Sequence, residues 1–130
     1  MRVTAELTPS TPTTLGASQG TRIRTRLVAE LQEATAMQEL LLHDIADGIE
    51  SRRGSTNDEV DDPEGANTAF ESAQSAALLH QSRVRAREIS EALARLDAGT
   101  YGDCSRCARP IAVGRLEARP SAAHCISCAA

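Results

Sequence analysis

From Thr21 onward, apolar side chains return at helical intervals. Leu27, Leu31, Ala34, Leu41 and Ile45 recur three, four or seven residues apart, which places them along one helix face, and Gln38 interrupts the stripe. A second helical stretch runs from about Pro63 to Asp97. Its more apolar positions are Phe70, Ala73, Ala77, Leu78, Val84, Ile89, Leu93 and Leu96, around a strongly polar middle, HQSRVRARE. Each stretch is roughly 30 to 35 residues, or about 45 to 50 Å, long. Neither can bury its stripe alone, so the pattern predicts an antiparallel hairpin whose seam hides both.

The connector has its own signature. Arg52-Arg53-Gly54-Ser55-Thr56-Asn57 stops the first helix with glycine and polar residues, and Asp62-Pro63 restarts the second with an N-cap residue and a proline suited to the first turn. Asp58, Glu59, Asp61, Asp62 and Glu64 put five carboxylates into seven residues at the tip this predicts. As a solvated loop they would favour the helix N-terminus through its dipole. The run lacks the alternating ligands and terminal glutamate of an EF-hand. An exposed loop also offers no desolvated pocket to separate two carboxylate pKa values, so an enzyme is not expected. Residues 1–20, rich in Thr, Ser, Pro and Gly, read as a flexible tail. The expected organisation is a tail over 1–20, a hairpin over 21–98 with its acidic tip near 57–65, and a separate module over 99–130.

Composition supports a helical reading. The chain has 130 residues, 41% of them hydrophobic, but its only aromatics are Phe70 and Tyr101. Alanine and leucine dominate, as in closely packed helices rather than a thick globular core. A formal charge of -4, with all 14 basic residues arginine, does not suit a protein that blankets nucleic acid. No apolar stretch has the length that spans a bilayer, and MRVTAELTPSTPTTLGASQG lacks the apolar run of a secretion signal. A cytoplasmic protein without membrane association is expected.

The candidate chemistry lies in the last stretch. Cys104, Cys107, Cys125 and Cys128 form C-x2-C, 17 residues, C-x2-C, and the chain has no other cysteine. Two residues between paired thiols let a tight turn aim both sulfurs at one point, and 17 residues suffice for a short hairpin that returns the second pair. The spacing predicts one structural Zn2+ per chain. Disulfide pairing would suit a secreted domain, and a redox C-x-x-C needs only one pair in a strand-helix setting. His124 adjoins Cys125, but four thiolates already close a structural site, leaving it as a bystander or outer partner.

Gly99-Thr100-Tyr101-Gly102-Asp103-Cys104-Ser105-Arg106-Cys107, then Ile111, Arg115-Leu116-Glu117-Ala118-Arg119-Pro120 and Cys125-Ile126-Ser127-Cys128 together resemble the zinc finger of the DksA/TraR family. The resemblance implies a mainly α fold: an antiparallel two-helix coiled-coil hairpin with a small C-terminal four-cysteine zinc finger. It further implies a monomeric bacterial transcription regulator that binds RNA polymerase and inserts the hairpin tip into its secondary channel. The family's Asp-x-x-Asp-x-Ala tip motif falls, counting back from Cys104 without gaps, on Asp61, Glu64 and Ala66. Glu64 keeps the charge of the second aspartate. Where the family has glycine after Cys107, this chain has Ala108, at a turn that favours positive φ. Basic groups around the finger help characterised members bind ppGpp at the polymerase interface. Arg119 matches one, but Glu88 and Ala129 stand where others are basic, so the resemblance gives little support for a ppGpp response.

Two other functions compete. The arginines of the finger, Arg115 and Arg119 among them, could make a small zinc ribbon that grips nucleic-acid phosphates, although no aromatic stacking residue lies between the cysteines. Direct sequence-specific DNA binding is not expected. A hairpin dimerising through its seam would make an adaptor, against which the polar middle of the second helix argues.

Overall fold

The computed structural model describes residues 16–54 and 63–129. Helix α1 spans Ala17–Gly54, α2 Pro63–Ala98 and the short α3 Val113–Ala118. The fold is mainly α, with two long helices packed antiparallel and the cysteine module following them. Among the described residues the only β pairing is an isolated bridge between Asp103 and Pro110. No helix among them is long and apolar enough to cross a membrane.

Helix ends follow local chemistry. Helix α1 starts at Ala17 rather than Thr21, so Ala17–Gly20 belong to the helix and not to the expected tail. Gln19 explains this start, because its Oε1 accepts the Gly16 N–H at 3.3 Å, half of a capping box. Residues 1–15 of the expected tail lie outside the described residues. At the C-terminus of α2, Gly99 takes φ 75° while its N–H donates to the Leu96 carbonyl, and Thr100 N–H donates to that of Arg95. This is a Schellman closure, and the left-handed residue it needs is supplied by glycine at no steric cost.

The described structure falls into two compact units. The first joins the residues up to Leu31 with Arg87–Ala130. Its core holds Leu27 and Ile89 from the two long helices with Ile111 and Leu116 from the cysteine module, all four essentially inaccessible to water. Each contributes about 1.5 to 3 kcal/mol by burial. Ala92, Tyr101 and Ala122 complete this core, and Ile23, Leu31, Leu93 and Leu96 pack against it. A surface pair, Arg24 to Asp97 at 2.7 Å, adds no more than about 1 kcal/mol.

The second unit, Gln32–Ala86, is a hairpin with a thin seam. Ala34, Leu41, Leu79 and Ser82 are its buried residues, with Gln38, Ile45 and Gly48 on α1 and Thr68, Ser72 and Ser75 on α2 half-buried. The α1 stripe lies where expected. That of α2 does so only in its C-terminal half, where Ile89 is buried and Val84, Leu93 and Leu96 are half-buried; Phe70 is 71% exposed, Leu78 is 45% exposed, and Ala73 and Ala77 are also on the surface. Positions 68, 72, 75, 79 and 82 alternate by four and three, the spacing that matches α1 at 34, 38, 41, 45 and 48. The regular seam therefore takes serines and Leu79 instead of the larger apolar neighbours. Two polar contacts fix the alignment. Ser82 Oγ donates to the Ala34 carbonyl at 3.1 Å, and Gln38 Nε2 donates to the Ser82 carbonyl at 3.4 Å.

Candidate metal centre

Two turns carry the four sulfurs. In the first, Cys104 N–H donates to the Arg109 carbonyl at 2.8 Å and Ala108 N–H to the Cys104 carbonyl at 2.9 Å, closing a knuckle that points Cys104 and Cys107 the same way. Ala108 sits there at φ 60°, in the left-handed region that the missing glycine would occupy freely. In the second turn, Cys128 N–H donates to the Cys125 carbonyl at 3.0 Å. Ser105 N–H, donating to the Ala123 carbonyl at 2.8 Å, ties one turn to the other. The return path is helical: α3, anchored by buried Leu116, takes the place of the short hairpin expected between the pairs.

All four sulfurs lie within 4.8 Å of one another. Cys107 and Cys125 Sγ are 3.7 Å apart, close to the about 3.8 Å edge of a tetrahedron with Zn–S bonds of about 2.3 Å. None of the four is in a disulfide. Without a cation such a cluster cannot hold four negative charges, and the thiols split. Backbone N–H groups of Cys125 and then Cys107 hold Cys104 down at about 5, whereas hydrogen bonding with the Cys125 side chain and then burial hold Cys128 up at about 12. A divalent cation removes the conflict by favouring all four thiolates. The donor set, separation and turn geometry thus fit a closed zinc site. His124 is outside the cluster; its carbonyl accepts the Arg115 Nε proton at 2.9 Å.

Arginines brace the module from outside. Arg106 donates to the Cys128 carbonyl at 3.4 Å, Arg26 to the Glu117 carbonyl, and Arg119 approaches Glu88 at 3.4 Å. Arg115 and Arg119, considered as interface groups, are therefore both engaged within the chain. Tyr101, one of the two aromatics and part of the stretch that carries the family resemblance, has a supporting role that its place in the sequence does not by itself reveal. Its hydroxyl donates to the Pro120 carbonyl at 2.7 Å, locking the segment before the first knuckle to the end of the RLEARP stretch. A lone aromatic three residues before Cys104 was the available signal. Of the tip residues, Glu64 and Ala66 fall in the first turn of α2, and Asp61 lies outside the described residues.

The profile described as prokaryotic dksA/traR C4-type zinc finger matches residues 99–130. Two strains of Caulobacter vibrioides, NA1000 / CB15N and ATCC 19089 / CIP 103742 / CB 15, have an RNA polymerase-binding transcription factor DksA that is 29% identical to this chain over 91 residues. The match covers 70% of this chain, which spans 64% of the length of those relatives. Among solved structures, transcription factor DksA2 from Pseudomonas aeruginosa superposes with a TM-score of 0.71 at 27% identity, covering 88% of this chain and 82% of that one.

Proposed function

We propose that this chain, a member of the DksA/TraR family of C4-type zinc finger proteins, regulates transcription by binding RNA polymerase and placing the acidic sequence between α1 and α2 in the enzyme's secondary channel. It does so as a cytoplasmic monomer without catalysis of its own. One structural zinc ion, held by Cys104, Cys107, Cys125 and Cys128, maintains the finger. Asp61, with Glu64 and Ala66, acts near the polymerase active site.

The observation that carries this reading is the distribution of charge along the chain. Residues 32–86 contain eleven acidic and four basic side chains. Residues 16–31 and 87–129 contain six acidic and nine basic ones. Negative charge is thus concentrated in the hairpin and its joining sequence, suited to a basic or metal-containing cavity of a larger partner. The zinc-ribbon alternative has less support: Arg115 is held by the His124 carbonyl, and Arg106 and Arg119, though exposed, also meet groups of the chain itself at 3.4 Å. Nothing comparable favours the adaptor reading.

Competition for purified RNA polymerase tests the proposal. The full chain should bind the enzyme and be displaced by a factor that occupies the secondary channel. Replacing Asp61 and Glu64 by alanine should preserve binding and folding while abolishing any effect on transcription. Undiminished binding in the presence of the competitor would refute channel entry, and a fully active double variant would refute the tip assignment.

A further inference from the structure

We propose that one flank of the hairpin in residues 32–86 is a docking groove for a lysine- or arginine-rich segment of the polymerase, a contact separate from the acidic joining sequence. The inference rests on the polymerase reading above and adds to it a second surface and the chemistry of what that surface takes.

A groove of about 620 Å³ runs beside the seam, with buried Leu41 at its floor and half-exposed Leu78 at its rim. Small side chains make it concave. A Cβ added at Gly48 would come within 2.9 Å of Ser72 Oγ, so the helices approach closely there, and Ser72 and Ser75 fill little space. Every charged residue lining the groove is a carboxylate: Asp44, Asp47 and Glu71. His43 Nδ1 lies 3.0 Å from Asp47 Oδ2 and also feels the Asp44 carboxylate, so these two acids share one histidine while Glu71 faces the groove from the other helix.

Aliphatic floor and anionic rim are the complement of a long basic side chain, whose methylene stem packs on Leu41 and Leu78 while its cationic head reaches the carboxylates. A second copy of this chain is the wrong occupant, because eleven acids against four arginines in residues 32–86 would set like charge on like charge. The small seam residues and outward-facing Leu78, anomalous in a simple two-helix seam, become the walls of a site.

The test is affinity for purified RNA polymerase at several salt concentrations, using the full zinc-loaded chain. Asp44→Asn with Glu71→Gln should weaken binding by about tenfold at low salt and flatten the salt dependence. The control pair Glu39→Gln with Glu50→Gln removes the same charge from exposed positions outside the groove and should bind as the parent does. Circular-dichroism melting checks that both variants fold. A photo-crosslinker at position 78 should label a basic polymerase segment, and one at the exposed position 76, across the seam, should not. Parental affinity in the groove variant, equal losses in both pairs, or labelling from position 76 alone would each overturn the groove while leaving the polymerase reading intact. Failure of the parent itself to bind would remove both.

Discussion

Ser82 Oγ donates to the carbonyl oxygen of Ala34 at 3.1 Å, a cross-helix bond inside a seam where a leucine would be the ordinary occupant. The bond exists because Ala34 carries too little side chain to hold the helices apart. Removing the hydroxyl with Ser82→Ala should cost about 1 kcal/mol, the value of one buried hydrogen bond. Ser82→Leu should cost more, about 1 to 3 kcal/mol, because the added methylenes meet the α1 backbone. Urea unfolding with equal m-values measures both, and a more stable leucine variant would show that the approach at Ala34 is loose.

This serine also marks what could be read from the chain alone. The α1 stripe was readable since Leu27, Ala34 and Leu41 are the largest or best-spaced apolar groups available, and all three are buried. On α2, size misled: Phe70 and Leu78 suggested burial, but the four-three alternation passes through Ser72, Ser75, Leu79 and Ser82, and continuity of packing along two helices outweighed the hydrophobicity of single positions. The cysteine cluster was fully readable because metal geometry tolerates few spacings. Its braces were not. Arg115 and Tyr101 act through backbone carbonyls, and a carbonyl has no letter in the sequence.

Ala108 at φ 60° predicts a gain of stability. A left-handed alanine costs about 1 kcal/mol more than glycine, whereas glycine's extra freedom in the unfolded chain reduces the benefit. Ala108→Gly should therefore stabilise the finger by up to about 1 kcal/mol, measured as resistance of the zinc-loaded protein to urea. Ala108→Val should do the opposite, since a β-branched residue tolerates positive φ worst.

Zinc removal should unfold the cysteine module and loosen the core it shares with Leu27 and Ile89. Cys104 is itself part of that core, so metal and hydrophobic packing support the same atoms. Chelation at neutral pH should release one zinc per chain and remove amide protection from residues 99–129, and Cys107→Ser should imitate it. Hydrogen exchange with and without chelator measures this. Undiminished protection in the metal-free protein would mean that the core alone holds the turns.

His43 gives a pH dependence with a defined sign. Its pKa is raised above 6.5, first by a backbone hydrogen bond at its own position and then by the Asp47 carboxylate, whose Oδ2 lies 3.0 Å from Nδ1. A raised folded-state value means that the charged form is favoured in the helix. The contribution is complete below the unfolded value of about 6.5 and fades as pH rises through the folded one. Asp47→Asn should lower the His43 pKa in an NMR titration and reduce the loss of stability on going from acidic to mildly alkaline pH.

Arg115 and Arg119 sit four residues apart on the same stretch and should nevertheless respond unequally to substitution. Arg115 is half-buried and donates to the His124 carbonyl next to a metal-ligand residue, so truncation to alanine leaves that acceptor unpaired and frees the second knuckle; about 1 to 2 kcal/mol should be lost. Arg119 meets Glu88 at 3.4 Å with both side chains well exposed, and its removal should cost less than about 0.5 kcal/mol. Chelator competition and thermal melting compare the two directly. If gel-shift binding of nucleic acid occurred and vanished in Arg119→Ala while stability stayed constant, the finger would be a phosphate-binding ribbon. If only Arg115→Ala changes anything, and does so through zinc retention, Arg115 is part of the metal centre's scaffold and the hairpin remains the surface proposed to meet the partner.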